Sequence, residues 1–207
     1  ASGVVALDAS GNGRNGAYTG VTLGATGIGD GRTSASFDGS TSFNNIYSAS
    51  YAVALNGAEG TISSWARVSG AGVWTDATSR RVYRVATATA GNRIELYRTT
   101  TNNQMELDYI AGNTAKGAVV AMSPTTFFHF AVTWSASGDA VKVYMNGAQQ
   151  GATLTGLGVW AGTVSATQNV IGASTTSPAS VWSGTIAHVA IWNTPLSSAQ
   201  ILLLAAA

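Results

Sequence analysis

The chain has 207 residues, of which 45% are apolar and only 9% are charged, and its formal net charge is +1. Nucleic-acid binding needs a concentrated basic face, which ten scattered Lys and Arg residues do not supply. The chain has no cysteine, which excludes a disulfide framework and thiol chemistry, and no apolar run approaches the roughly 18 residues that membrane insertion requires. The length predicts a single domain, residues 1–207, with a neutral, hydrogen-bonding surface.

The segment ALDASGNGRNG, residues 6–16, is the first motif in chain order. Asp8 and the residues after it resemble the opening of a calcium loop, D-x-[DN]-x-[DN]-G. An EF-hand loop needs a bidentate Glu at its twelfth position, which is Thr19 here, so an EF-hand is excluded. Two interpretations of Asp8 stay open. Its carboxylate fixes a turn by accepting from the amide two residues on, or it supplies a calcium ligand.

The middle of the chain is dominated by period-2 alternation, which is typical of half-buried strands. Strands are predicted in TISSWARV (61–68), RVYRVATA, RIELYRTT, QMELDYIAG, FFHFAVTW (127–134), AVKVYM and GTIAHVAIW (184–192). Asn146-Gly147 predicts a tight hairpin after AVKVYM. The basic cluster Arg80-Arg81-Val-Tyr-Arg84 is interpreted as a solvated strand edge, and an anion site is the alternative. Many short strands separated by Gly, Asn and Thr turns predict an all-β fold, a two-sheet antiparallel jelly-roll sandwich.

One short helix is predicted at the C-terminal end of the chain. Ser197 and Gln200 fit a capping box, in which the Ser hydroxyl accepts from the amide three residues on and the Gln side chain reaches back. Pro195 prevents the preceding strand from continuing. The ILLL run, residues 201–204, either docks on the sandwich or continues into a longer chain, of which this sequence is expected to be an excerpt.

Three stretches carry a resemblance to a known family: ASFDGSTSF, HFAVTWSASGDAVKVYMNG and GTIAHVAIWNTPLSSAQI. Their order and separations resemble the laminin-G-like (LamG) domains of the concanavalin A-like lectin/glucanase superfamily. The resemblance implies a non-catalytic module that binds a glycan or cell-surface polysaccharide, within a larger bacterial extracellular or bacteriophage virion protein. The alternative is a structural decoration domain of a virion or cell surface, whose partners are neighbouring subunits. Both place the chain outside the cell or on a virion surface.

The resemblance also implies a calcium ion at the rim of the sandwich. The last strand of the family usually has the sequence G-x-I-D-E-V, and the Asp of that segment can be a calcium ligand. This chain has GTIAHVAIW, so Ala187 stands in place of the Asp and His188 in place of the Glu. The candidate calcium ligands that remain are Asp30 and Asp38, with Asp8 as a third.

β-Glucanases of this fold share the strand motif E-[hydrophobic]-D-x-x-E. The segment to compare with this motif is Glu106-Leu-Asp108-Tyr-Ile-Ala111, and the comparison bears on whether the chain is catalytic. Glu106 and Asp108 are two apart on a strand and point the same way, but Ala111 stands where the acid/base would be. A retaining glycosidase needs two carboxyls about 5–5.5 Å apart, so the chain is predicted not to be an enzyme, with both carboxylates facing solvent. His129 and His188 are interpreted as paired strand residues rather than general bases.

Six tryptophans are the candidates for stacking on sugar rings. Three lie in strongly alternating strands and are predicted to be core: Trp65, Trp134 and Trp192. Trp74, Trp160 and Trp182 stand in turn-like contexts next to Gly or Ser and are predicted to bind carbohydrate. The alternative is that these three plug the open ends of the sandwich.

Overall fold

The computed structural model describes residues 4–89 and 91–206. Within these residues the strands are β1 (Val5–Ala6), β2 (Gly16–Thr19), β3 (Thr22–Thr26), β4 (Thr33–Asp38), β5 (Phe43–Asn45), β6 (Glu59–Val68), β7 (Arg80–Ala86), β8 (Arg93–Arg98), β9 (Gln104–Ala111), β10 (Thr114–Ala121), β11 (Phe128–Ser135), β12 (Ala140–Met145), β13 (Ala148–Gln149), β14 (Val170–Ile171) and β15 (Ser183–Trp192). The helices are α1 (Ala49–Ala54) and α2 (Ser198–Leu204), and a 3-10 turn covers Ala71–Trp74.

The strands form two antiparallel sheets that pack face to face. An eight-stranded sheet has the order β1-β2-β5-β14-β7-β8-β9-β10, and a seven-stranded sheet has the order β13-β12-β11-β6-β15-β4-β3. Strands distant in sequence are neighbours, such as β5 with β14 and β6 with β15, so the two ends of the chain are joined through the sheets. This architecture confirms the predicted two-sheet jelly-roll sandwich.

The core lies between the sheets and is built from alternate residues of the central strands. Leu96 and Leu107 from the eight-stranded sheet and Ile62 and Phe130 from the seven-stranded sheet have no exposed surface. Complete burial of one such side chain contributes about 1.5–3 kcal/mol relative to exposure. The residues between them in sequence point away from the core, so the polar positions of these strands line the outer faces of the sandwich.

The hairpin predicted at Asn146-Gly147 is confirmed. Both residues have positive φ, 48° and 81°, and the flanking residues Met145 and Ala148 pair directly as β12 meets β13. Positive φ at both central residues matches the twist of the two strands, and Asn followed by Gly adopts it with little strain.

Helix α2 docks on the outer face of the seven-stranded sheet. The capping box is present, since the Ser197 hydroxyl accepts from the Gln200 amide and the Gln200 side chain accepts from the Ser197 amide. Ile201 is fully buried against Ala131 and Tyr144, and Leu204 packs partly against them, while Leu202 and Leu203 are exposed, so one side of the ILLL run docks on the sandwich. No helix within the described residues is both long and apolar enough to cross a membrane.

His129 is buried beneath α2 with no exposed surface. Its Nε2 lies 2.8 Å from the Ser63 hydroxyl and its ring 5.3 Å from that of Trp65, as expected for a paired strand residue. Its Nδ1 has no partner within residues 4–89 and 91–206. Burial lowers the pKa of His129 to about 4, because the protonated ring would lose its hydration.

This buried histidine predicts a loss of stability in acid. The stability that neutral His129 contributes is present above the unfolded pKa of about 6.5 and is lost as pH falls to about 4, a difference of about 3 kcal/mol. Urea unfolding at pH 7.0, 5.5 and 4.0 should show this decline, and His129→Gln should flatten it. Equal slopes for the parent chain and His129→Gln would contradict the assignment.

Candidate functional site

The tryptophans do not form the predicted binding surface. Trp74 is 1% exposed and Trp182 is 0% exposed. Their indole N–H groups donate inside the protein, from Trp74 to the Pro124 carbonyl at 2.8 Å and from Trp182 to the Arg67 carbonyl at 3.3 Å. A sugar cannot stack on a ring without an exposed face. The carbohydrate-binding prediction is therefore wrong for Trp74 and Trp182, which are part of the main core cluster.

Trp160 is half-buried and lies apart from the other two. Its ring centre is 5.9 Å from that of Tyr109, and it packs so closely over Gly57 that a Cβ at this glycine would overlap the indole. Its role in binding carbohydrate stays a prediction. Of the tryptophans predicted to be core, only Trp134 is buried, because Trp65 and Trp192 lie half-exposed on the outer side of the seven-stranded sheet.

Two of the three candidate calcium ligands organise turns. Asp38 accepts hydrogen bonds from the backbone amides of residues 40–42 at 2.8–3.0 Å and from the hydroxyls of two of them. Burial disfavours the charged form of Asp38, but these bonds outweigh burial and hold its pKa far below the ordinary value. Asp8 accepts from the Ser10 hydroxyl and from the amides of Ser10 and Arg14, which lowers its pKa. The turn interpretation of Asp8 is therefore favoured.

The third candidate, Asp30, pairs with a histidine. Its Oδ2 lies 3.1 Å from Nε2 of His188, and its Oδ1 accepts from the Arg32 amide. His188 has φ +49° and occupies a bulge in β15 between Ala187 and Ala190, so it leaves the strand ladder and reaches this carboxylate.

These surroundings do not fit a calcium ion. The described parts of the chain contain no group of three or more His, Asp or Glu residues that could hold a metal. Calcium takes six to eight oxygen ligands, several of them carboxylate. Asp8, Asp30 and Asp38 are each engaged by protein donors. Calcium binding stays a prediction.

Charged side chains are concentrated on the outer side of β7, β8 and β9. This arginine–carboxylate face consists of Arg81, Arg84, Arg93, Glu95, Tyr97, Glu106 and Asp108. Strand register aligns two rows across the sheet, Arg84–Glu95–Asp108 and Arg81–Tyr97–Glu106. The whole chain has only ten basic and nine acidic residues, and six of these nineteen lie on this face. The face is therefore the strongest polar feature of the molecule.

Glu95 lies at the centre of the face, with 3% of its side chain exposed. Its carboxylate accepts from Nε of Arg93 at 2.8 Å and from Nε of Arg81 at 3.1 Å, and Nη1 of Arg84 lies 3.8 Å away. Burial alone would raise the pKa of Glu95, but the three guanidinium groups outweigh burial and lower it. One carboxylate thus holds three cations in place.

Beside Glu95 and its arginines, the face presents an aromatic ring and two further carboxyls. The Arg81 guanidinium lies 4.8 Å above the Tyr97 ring, and the Tyr97 hydroxyl donates to Asp108 Oδ2 at 3.2 Å. Burial, with the charges of Glu106 and Glu95, raises the pKa of Asp108 to about 6. Tyr97, Glu106 and Asp108 are all half-buried. A flat ring beside strong hydrogen-bond acceptors is suited to the apolar and hydroxyl faces of a sugar.

The sequence predictions for these residues are partly confirmed. Glu106 and Asp108 do share a face, but Asp108 is part of a hydrogen-bonded network rather than simply solvated. The cluster at residues 80–84 is not a strand edge, because β7 lies between β14 and β8. The central acceptor Glu95 and the ring of Tyr97 were not predicted as site residues. The sequence did contain one indication of this face. Arg93, Glu95 and Tyr97 alternate along one strand in a chain that has few charged residues.

A cleft of about 680 Å³ opens between the sheets on another side of the molecule. Its floor includes the core residues Phe37, Ile171 and Ile186, and along it β15 has no pairing with β4 beyond Ile186. Polar residues of the loop that starts at Asp8 line its rim, but several of them bond to one another. Apolar walls with a few polar groups are typical of small-ligand pockets, whereas the arginine–carboxylate face gathers six charged side chains around an aromatic ring.

Comparison with known structures supports the fold. Domain 4 of AbnA, a GH43 extracellular arabinanase from Geobacillus stearothermophilus, in complex with arabinotriose, has a TM-score of 0.66 at 18% identity, with 97% of this chain and 92% of that chain covered. The receptor-binding domain of botulinum neurotoxin mosaic serotype C/D has a TM-score of 0.71 at 12% identity, with coverage of 97% and 47%.

A third similar structure is the CBM40 of the Ruminococcus gnavus IT-sialidase bound to α2,3-sialyllactose. Its TM-score is 0.54 at 16% identity, with 71% of this chain and 82% of that chain covered. No curated protein sequence matches the chain. A laminin-G-type sequence model, described as the concanavalin A-like lectin/glucanases superfamily, matches residues 38–202, which confirms the resemblance found in the sequence. This chain belongs to the concanavalin A-like lectin/glucanases superfamily.

Proposed function

We propose that this chain is a carbohydrate-binding module that holds a glycan on the arginine–carboxylate face. The observation that carries the proposal is the concentration of six charged side chains around the half-exposed ring of Tyr97, in a chain of which only 9% is charged. Two proteins of similar structure were solved with arabinotriose and with sialyllactose, which supports a glycan as the ligand class.

The geometry explains how the face would bind. Carboxylates accept from sugar hydroxyls, guanidinium groups donate to ring and hydroxyl oxygens, and an aromatic ring packs against the C–H face. Arg81 lies over one side of Tyr97, and Glu95 holds Arg81 in turn. Such prior ordering lowers the entropy that is lost when a ligand binds.

The same geometry argues for binding without catalysis. Ala111, at the acid/base position of the glucanase motif, is fully buried and carries no carboxyl. Glu95 is enclosed by three arginines, so its carboxylate cannot approach an anomeric carbon. Glu106 then has no carboxyl at the acid/base position of the motif to form the pair that the mechanism requires. The proposed setting, a larger bacterial extracellular or bacteriophage virion protein, stays a prediction, as does the alternative role in surface decoration.

The test is a glycan array with the purified chain, followed by calorimetry on the best glycan. Tyr97→Ala should weaken binding at least tenfold, about 1.4 kcal/mol, while Tyr97→Phe keeps most of the affinity because the ring remains. Phe127→Ala is the matched control, since Phe127 also lies beneath an arginine, Arg67 at 4.7 Å, but at the seven-stranded sheet. This variant should bind like the parent chain.

Two further conditions sharpen the test. The array is run in calcium and again in EDTA, which also tests the predicted calcium ion, and the recovered glycan should be intact by mass spectrometry. A blank array in both buffers would contradict the proposal and favour the decoration role. Equal losses for Tyr97→Ala and Phe127→Ala would show that the face is not the site.

A further inference from the structure

We infer that the arginine–carboxylate face selects glycans that carry a carboxylate, such as uronic or sialic acids, with Arg84 and Arg93 as the groups that receive it. This inference rests on the proposed function and narrows it from glycans in general to acidic glycans. It follows from the hydrogen-bond donors that the face leaves unused and from the way its charges are divided across the sheet.

The guanidinium donors on this face exceed their acceptors. Each guanidinium carries five N–H donors, and the three on this face share the single carboxylate of Glu95. Within residues 4–89 and 91–206, Arg93 donates only through Nε to Glu95, and Arg84 approaches Glu95 at 3.8 Å without a hydrogen bond. The terminal nitrogens of both arginines thus remain available to an incoming group.

Of these two arginines, Arg84 gives the stronger evidence for a bound carboxylate. Its Nε is buried and has no partner within the described residues, and such an unsatisfied donor is uncommon in a folded protein. Its side chain is 22% exposed and that of Arg93 is 32% exposed, so a ligand can reach both. Arg84 lies directly across from Glu95, and Arg93 lies two residues before Glu95 on the same side of β8. A carboxylate can accept two parallel bonds from one guanidinium, which a hydroxyl cannot do.

The charges of the face are divided between its two sides. The cations lie on β7 and β8, while Glu106 and Asp108 lie on β9. The face has three positive and three negative side chains, so its formal charge is zero. It is therefore not expected to bind anions in general. A bound acidic sugar would direct its carboxylate toward Arg84 and its hydroxyls toward Glu106 and Asp108, since the reverse orientation places like charges together.

Acidification should strengthen this binding. Asp108 faces Glu95, Glu106, Tyr97 and Arg93, and it becomes neutral near pH 6. A sugar carboxylate stays ionised at pH 5, with a pKa near that of an α-carboxyl at about 3.5. Lowering the pH from 7.5 to 5 removes one like charge, so affinity for an acidic glycan should rise about fivefold. Asp108→Asn should reach this higher affinity at both pH values.

The experiment compares matched probes by calorimetry: 3′-sialyllactose with lactose, and trigalacturonic acid with its methyl ester. The acidic member of one pair should bind at least tenfold more tightly, and Arg84→Met should remove that preference. Arg93→Met, at the more exposed arginine, provides a second variant, and Arg67→Met on the seven-stranded sheet should retain the preference. Circular dichroism of each variant checks that it is folded.

The possible results separate this inference from the proposed function. If neutral glycans bind as tightly as acidic ones and Tyr97→Ala weakens both, the selection for carboxylates is overturned and the carbohydrate-binding face stands. Retention of the acidic preference in folded Arg84→Met and Arg93→Met would also overturn the inference. If no glycan on the array binds, both the inference and the proposed function fail.

Discussion

Glu95→Ala is expected to lower the free energy of unfolding by about 3–5 kcal/mol, the range for a buried charge that loses its partner. Here the loss leaves Arg81, Arg84 and Arg93 close together without their common anion. Glu95→Gln keeps the shape but not the charge, so it should also destabilise the protein. Urea unfolding at pH 7 measures both effects, with Glu106→Ala as the control on the same face.

Glu106→Ala should change stability by less than about 1 kcal/mol, because Glu106 is half-buried and forms no salt bridge within the described residues. Equal effects of Glu95→Ala and Glu106→Ala would contradict the central role of Glu95. A second step tests the cause directly. Adding Arg84→Met to Glu95→Ala should recover part of the lost stability, because one of the repelling cations is removed.

Trp182→Ala is expected to lower the free energy of unfolding by about 3–5 kcal/mol, the range for a large core ring replaced by a methyl group. Trp182 is fully buried, and its ring centre lies 6.4 Å from that of Phe128 in an edge-on contact. Trp182→Phe should restore part of the stability. Glycan affinity of the folded fraction should not change, because the indole has no exposed face.

Trp160→Ala is the comparison for this prediction. Trp160 is half-buried, so the expected loss of stability is smaller, about 1–2 kcal/mol. Thermal unfolding and calorimetry on the same samples separate stability from binding. A Trp182→Ala protein that keeps the parent stability but loses the glycan would contradict its assignment to the core and restore the binding role expected from the sequence.

The arginine–carboxylate face and His129 place two opposing pH effects in one molecule. The raised pKa of Asp108 means that its charged form is disfavoured in the fold, so the stability linked to Asp108 declines as pH rises through about 6. The lowered pKa of His129 works in the opposite direction between about 6.5 and 4. His129 is fully buried, whereas Asp108 is half-buried on the outer face, where its charge would act on a ligand.

Structural features that depend on residues close together in sequence could be predicted well. The alternation of RIELYRTT and FFHFAVTW predicted strands, Asn146-Gly147 predicted the hairpin, and Ser197 with Gln200 predicted the start of α2. Helix α1 was missed because its six residues, ASYAVA, are too few to show a helical period. Its stability depends on the Ser48 cap and on burial of Tyr51 rather than on its own pattern.

The sequence by itself determined the two-sheet class of this protein and which side chains alternate along each strand, because both follow from period-2 geometry and local turn chemistry. Only the tertiary structure decided which tryptophans are exposed. Burial depends on contacts between residues far apart in sequence, such as Trp182 and Phe128. It also decided the site. Glu95 meets Arg81 and Arg84 through the register of β7 against β8, which a bulge between Arg81 and Tyr83 shifts and which no short motif specifies.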